Sequence, residues 1–209
     1  YDADLYKKGN IKTTDLTLEA FNQNTNLTQI FAAGSRANAI RADKVGDQFD
    51  IQYTILGGGD EFEHIKTVKN TNAIFIIPIN FPKPYDVEDP FLANRLELES
   101  MREWNQRPAN LSALENNEVP FAITTQGLKS PKSFKTNILI AIEHGLSKSE
   151  ALKALTTVPA LILKNNKIGN LEKGSFANFM MTSGDFFESN TNVLEHWIRG
   201  SRHIFEDLT

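Results

Sequence analysis

The sequence has no cysteine, which removes disulfides, thiolate zinc sites and cysteine nucleophiles together. That absence suits the cytoplasm and the periplasm equally, so the compartment stays open. Long apolar runs are also missing. The longest, residues 73–81, is interrupted by Pro78 and Asn80 and falls far short of the roughly 20 residues that a membrane helix needs, so no membrane span is expected. Basic charge is not in excess: 22 Lys and Arg stand against 26 Asp and Glu, a formal net charge of −4. Nothing basic is concentrated enough for a nucleic-acid partner. The four histidines, His64, His144, His196 and His203, form no HxH or HExxH pair. A catalytic zinc needs three converging ligands, so the expectation is that this chain holds no metal by itself. A G-x-S-x-G element is absent too, which leaves a serine hydrolase of the α/β type without support.

What is present is an ordinary globular composition, 40% apolar and 23% charged. At 209 residues the chain suits one domain, or one domain with a small appendage, with enough length to bury a core. The first residue is Tyr1 rather than Met, so an initiator or leader is expected to lie outside this segment, within something longer.

The pattern alternates between strand and helix. Residues 15–24 suit a short helix, and QIFAA at 29–33 reads as a buried strand. Residues 36–49 place Ala37, Ile40, Val45 and Phe49 on one helical face, and IQYTIL at 51–56 is the next strand. Gly57, Gly58 and Gly59 stop it. Asp60 is then expected to cap a following helix, with Glu63 as its capping-box partner and Phe62, Ile65 and Val68 as its apolar stripe. AIFIIPI at 73–79 is a continuous apolar run, as expected of a strand covered on both faces. Helices follow at 91–104 and 111–115, and PFAITT at 120–125 is a fourth strand. Phe134, Ile138, Ala141 and Ile142 then repeat at helical spacing up to a stop at Gly145. Ser147 and Glu150 make a capping box for residues 151–155. Beyond Lys167 come short strands at 176–182, 193–198 and 202–205, with glycines at the turns.

Four strands, each followed by a helix, argue for a parallel α/β architecture. These residues alone do not separate a barrel segment from an open sheet. The three-glycine turn lies between strand and helix, where backbone N–H groups can cradle phosphate, but no Gly-Lys-Ser/Thr follows and the G-x-G-x-x-G spacing is absent. A tight turn is the better reading. Asp60, Glu61 and Glu63 are likewise read as helix-capping and surface carboxylates. His144, just before Gly145, is placed to meet a helix C-terminal dipole, and His64 falls on the solvent side of its helix. The loop at 80–90 contains FPKPYDVEDP and is longer than an ordinary βα connection of about 2 to 6 residues. It is either a binding loop or a proline-stiffened surface loop. Candidate substrate-binding residues are Asp60, Asn80, Lys83, Tyr85, Asp86, Trp104 and Arg107.

The run from Gly145 to Met180, GLSKSEALKALTTVPALILKNNKIGNLEKGSFANFM, resembles the closing segment of amidohydrolase-superfamily proteins, especially the branch similar to imidazolonepropionase. There a helix of the form GLS..EAL.ALT..PA..L precedes GSLE.GK.AN. The ending NVLEHWIRGSR at 192–202 also looks like the family's last hairpin. The resemblance implies that residues 1–165 are the C-terminal half of a (β/α)8 TIM-like metal-dependent hydrolase barrel. Residues 166–209 would be the C-terminal β strands of a composite sandwich. The four strands would be the fifth to eighth, with the site at their C-terminal ends. The N-terminal half of the same polypeptide, or a second copy, would complete the fold.

Family enzymes usually place a His after the fifth strand, a His after the sixth and an Asp after the eighth, each ligating a divalent metal. The resemblance puts Ala33, Gly58 and Gln126 at those places, and none can act as an ordinary ligand. Zinc would then be held only if the missing half supplies ligands. Two functions remain: a hydrolase acting on C–N or related bonds, or a catalytically silent barrel that binds a ligand or partner.

Overall fold

The computed structural model describes residues 1–205, apart from the side chain of Leu92. Four strands, β1 (Ile30–Ala32), β2 (Thr54–Leu56), β3 (Phe75–Pro78) and β4 (Phe121–Thr124), form one sheet in chain order. Every pairing is parallel, as the alternating pattern predicts. The connections carry helices: α3 (Arg36–Gln48), α4 (Ile65–Lys69), α5 (Pro90–Ala93), α6 (Leu98–Gln106), α7 (Asn110–Asn116) and α8 (Ser133–Glu143). Before them α1 (Asp2–Lys7) and α2 (Leu16–Gln23) pack against each other, and α9 (Lys148–Leu155) and α10 (Thr157–Ile162) close the α/β part.

The core lies on one side of the sheet. Ile55, Phe75, Ile77 and Phe121 are at most 1% exposed and pack with Ala39 of α3, Val68 of α4, Leu114 of α7, Ile138 of α8 and Ala151 of α9. Removing one large side chain here, as in Phe75→Ala, costs about 3–5 kcal/mol. The register sets Ala32, Leu56, Ile76 and Ala122 in a row on the opposite face. There Leu56 and Ile76 are only half-buried and Ala32 is exposed, whereas Ala122 is buried. The apolar run at 73–79 therefore does not form a strand covered on both faces. β3 alternates buried and half-buried, because the chain packs closely against only one face of this strand.

The face of α3 also differs from expectation. Its buried residues are Ala39, Ala42 and Gly46, whereas Val45 is 46% exposed. Close approach explains the choice of small residues: a Cβ on Gly46 would fall 2.3 Å from the Ile51 carbonyl oxygen. Hydrophobicity marks the large residues of a helix, but size decided this face. The capping box at Ser147 is half realised. Ser147 Oγ accepts from the Glu150 N–H at 3.1 Å and starts α9, while the Ser147 N–H donates to Glu115 instead.

The chain ends in an antiparallel sheet, β5 (Phe179–Thr182), β6 (Val193–Ile198) and β7 (Ser201–Ile204). The β6–β7 turn places Arg199 (φ 48°) and Gly200 (φ 83°) in the left-handed region, the backbone that suits a two-residue hairpin. Phe179 stacks on Trp197 with ring centroids 5.5 Å apart. Lys148 of α9 joins Asp185 at 2.7 Å, and Phe187 enters the main core. The expected β segment runs on to residue 209, and its positions 206–209 lie outside the described residues.

β1 is an edge strand with Ile30 55% and Phe31 38% exposed, and apolar edges of this kind seek partners. In sedimentation at micromolar concentration the isolated chain is expected to run as a dimer or larger species. A stable monomer would contradict a half-covered sheet.

Candidate functional site

In parallel α/β folds ligands bind at the C-terminal ends of strands, which here are the turns after Ala32, Leu56, Pro78 and Thr124. The turn after β2 is the most densely bonded. Gly58 N donates to Glu61 Oε1 at 2.8 Å and Gly59 N reaches the same oxygen at 3.3 Å. Asn110 Nδ2 donates to Glu61 Oε2 at 2.7 Å, and Asn110 Oδ1 accepts from Phe62 N at 2.9 Å. Glu61 is fully buried. Burial pushes its carboxyl above the ordinary carboxylate range, against the pull of the Gly58 N–H and Asn110 amide donors. The reading of Glu61 as a surface carboxylate is therefore overturned: a short 3-10 turn, Glu61–His64, folds its side chain back under the glycines.

Asp60 also differs from expectation. It makes no side-chain cap on the turn that follows. Its Oδ1 accepts from the Arg36 N–H at 2.9 Å and its Oδ2 meets the Arg36 guanidinium at 3.0 Å. Asp60 thus caps α3 across the sheet, beside the intrinsic cap Ser35. Glu63 takes the other side of Arg36. On the far side of the turn, Arg107 donates to the Gly58 carbonyl at 3.0 Å and pairs with Glu103. The tight-turn reading of the three glycines holds, and their amides are occupied.

Asn80 and Arg107 share a hollow with Gly58, Gly59, Pro78 and Asn110 whose free space is about 10 Å³, room for one water. The remaining candidates do not join it. Trp104 donates from Nε1 to the Pro82 carbonyl at 3.1 Å and so fastens α6 to the long loop. Lys83, Tyr85 and Asp86 are exposed on that loop, where Asp86 accepts from the Glu88 N–H at 3.1 Å in a local turn. Glu61, Asn110 and Arg36 were missed as site residues. The signal for Glu61 was its place three residues after a glycine of a strand-ending turn, which puts a carboxylate within reach of free N–H groups. A larger cleft of about 1080 Å³ lies at the opposite end of the sheet, lined by Gln29, Ile51, Thr54, Asn72 and Ile74 together with α1 and α2 residues. That is the N-terminal end of the strands, the side associated with stability rather than chemistry.

No protein-family model matches the chain, and no curated protein matches it. Among solved structures it is similar to an amidohydrolase from Thermotoga maritima MSB8, with a TM-score of 0.72 at 20% identity over 96% of this chain and 52% of that one. The likeness is one of fold, to part of that structure. A Xaa-Pro dipeptidase with methionine bound in its active site gives a TM-score of 0.65 at 16% identity over 90% of this chain and 47% of that one. A. niger ochratoxinase gives 0.59 at 17% identity over 90% and 44%. The chain spans about half the length of these structures.

Ala33, Gly58 and Gln126 carry neither an imidazole nor a carboxylate. Ala33 is buried and offers a methyl group. At Gly58 a Cβ would stand 2.3 Å from the Gly34 carbonyl oxygen and 2.8 Å from its carbon, so no side chain has room. Gln126 is exposed and carries a neutral amide. Among the described residues no three His, Asp or Glu side chains converge on a point that could hold a metal.

Glu61→Gln tests the buried carboxylate. The amide would turn an NH2 toward the Asn110 donor, and the chain should lose about 1–3 kcal/mol of stability by urea denaturation. The loss should depend on pH. Because the folded-state pKa of Glu61 is raised, its favourable contribution is complete below about pH 4 and is withdrawn as pH rises through the raised value. The gap between parent and variant should therefore be larger at acid pH than at pH 8. A gap that widens with rising pH would contradict this.

Proposed function

We propose that this chain is the C-terminal half of an amidohydrolase-type barrel that hydrolyses a C–N or related bond. The rest of the barrel would supply the catalytic side chains, and any metal ligands with them. The observation that carries this reading is the run of four parallel strands in chain order, closed by a small antiparallel sheet. Coverage of about half of each similar structure supports it. In this arrangement the half-buried face with Leu56 and Ile76 is the inner wall of the barrel. Asn80, Arg107 and the loop at 80–89 form one side of its mouth. The residues missing from this chain would cover that wall and both sheet edges.

A second reading, a silent barrel that binds a ligand or partner, is favoured by one observation: the turn at Gly58 has no room for any side chain. The two separate in an assay of the full-length polypeptide, supplied with zinc or manganese, against a panel of N-acyl amino acids and dipeptides. Turnover supports the hydrolase, and its absence across the panel supports the silent barrel. In an active protein, Gln126→Ala should lower kcat/KM by no more than about tenfold, a barrier change of roughly 1.4 kcal/mol. A thousandfold drop with an unchanged circular dichroism spectrum would make the amide a working catalytic group.

A further inference from the structure

We propose that the Gly57–Gly58–Gly59 turn is an anion nest whose occupant is the chain's own Glu61, and that this internal carboxylate closes the end of β2 to metal ions. The metal half of the proposal rests on the half-barrel reading; the nest itself rests on geometry alone. Successive backbone N–H groups that converge on one point form an anion-binding concavity. Here Gly58 N and Gly59 N converge on Glu61 Oε1, at 2.8 and 3.3 Å, and Asn110 Nδ2 takes the second oxygen at 2.7 Å. The occupant is fully buried.

Each glycine meets a separate demand. A Cβ on Gly57 would fall 2.1 Å from Glu61 Oε1, so a side chain there would push the carboxylate out. A Cβ on Gly58 would meet the Gly34 backbone, so a side chain there would part the turns after β1 and β2. Gly59 has φ +85°, which glycine adopts without strain. Arg107, bonded to the Gly58 carbonyl, fixes the peptide plane that aims the Gly59 N–H at Glu61. The neighbouring carboxylate is also committed, since Asp60 spends both oxygens on Arg36. A cation at this strand end would have to strip Glu61 of three donors or Asp60 of two. A histidine at position 58 would have to displace backbone before it reached any metal.

Two measurements on the chain test this, and neither reads catalysis, so a failed hydrolase assay would leave both standing. In the first, Glu61→Ala should lower the thermal midpoint by about 4–10 °C. Formate at about 100 mM should raise the variant's midpoint more than the parent's, with sodium chloride at equal ionic strength as control, because formate refills the nest by mass action. Equal responses to formate and chloride would overturn the nest. In the second, Gly58→His is titrated with zinc by calorimetry and its midpoint is recorded. A lowered midpoint with well under one equivalent bound is expected, whereas stoichiometric zinc binding with a raised midpoint would overturn the closure. Should that variant not fold, Gly58→Ala decides: a midpoint below the parent's supports the close backbone approach, and one equal to or above it overturns it.

Discussion

The close approach of Gly58 to the Gly34 backbone is the constraint from which the rest of the strand-end architecture follows. With a would-be Cβ only 2.3 Å from the Gly34 oxygen, the turns after β1 and β2 are in direct backbone contact. In that turn the Gly59 residue is buried and Gly58 half-buried. Buried donors need partners, and Glu61 supplies one carboxylate for both. The same turn brings Asp60 to the first N–H of α3, so that one short segment ends β2, caps α3 and anchors α7 through Asn110.

The α/β order was legible in the sequence because strands and helices with different periodicities alternate there. The parallel sheet, the cap at Ser147 and the place of His144 all followed from local chemistry, and His144 Nδ1 indeed lies 2.8 Å from the Ile140 carbonyl at the end of α8. Features set by distance along the chain were not legible. The inner face of α3 depends on how near residues 51–53 pass, which no helical periodicity encodes. Glu61 looks like any acidic residue at a helix start until the buried Asn110, 49 residues away, is seen to bond it. The apolar run at 73–79 signals a strand made for two covered faces, yet this chain covers only one, and the exposure of Ile30 and Phe31 marks the same deficit at the sheet edge.

The candidate site divides along the same line. The resemblance singles out Ala33, Gly58 and Gln126, which follow β1, β2 and β4 by one or two residues. What the resemblance left open was what surrounds these three positions. At Gly58 the place is filled by backbone, and at Ala33 by core packing. Around the β2 end Arg36 pairs with Asp60 and Glu63, Glu61 with Asn110, and Arg107 with the Gly58 carbonyl and Glu103. Asn80 and residues 82–89 of the loop beyond it are exposed.

The account stands most directly on the two glycine amides. Native-state hydrogen exchange followed by NMR reads them individually, alongside the Phe75 amide, which pairs with the Pro120 carbonyl within the sheet. If Glu61 fills the turn, the Gly58 and Gly59 amides should exchange within about tenfold of the Phe75 amide, by opening of the core rather than of the loop. Exchange of either glycine at the rate of an exposed turn, with Phe75 still protected, would contradict the account.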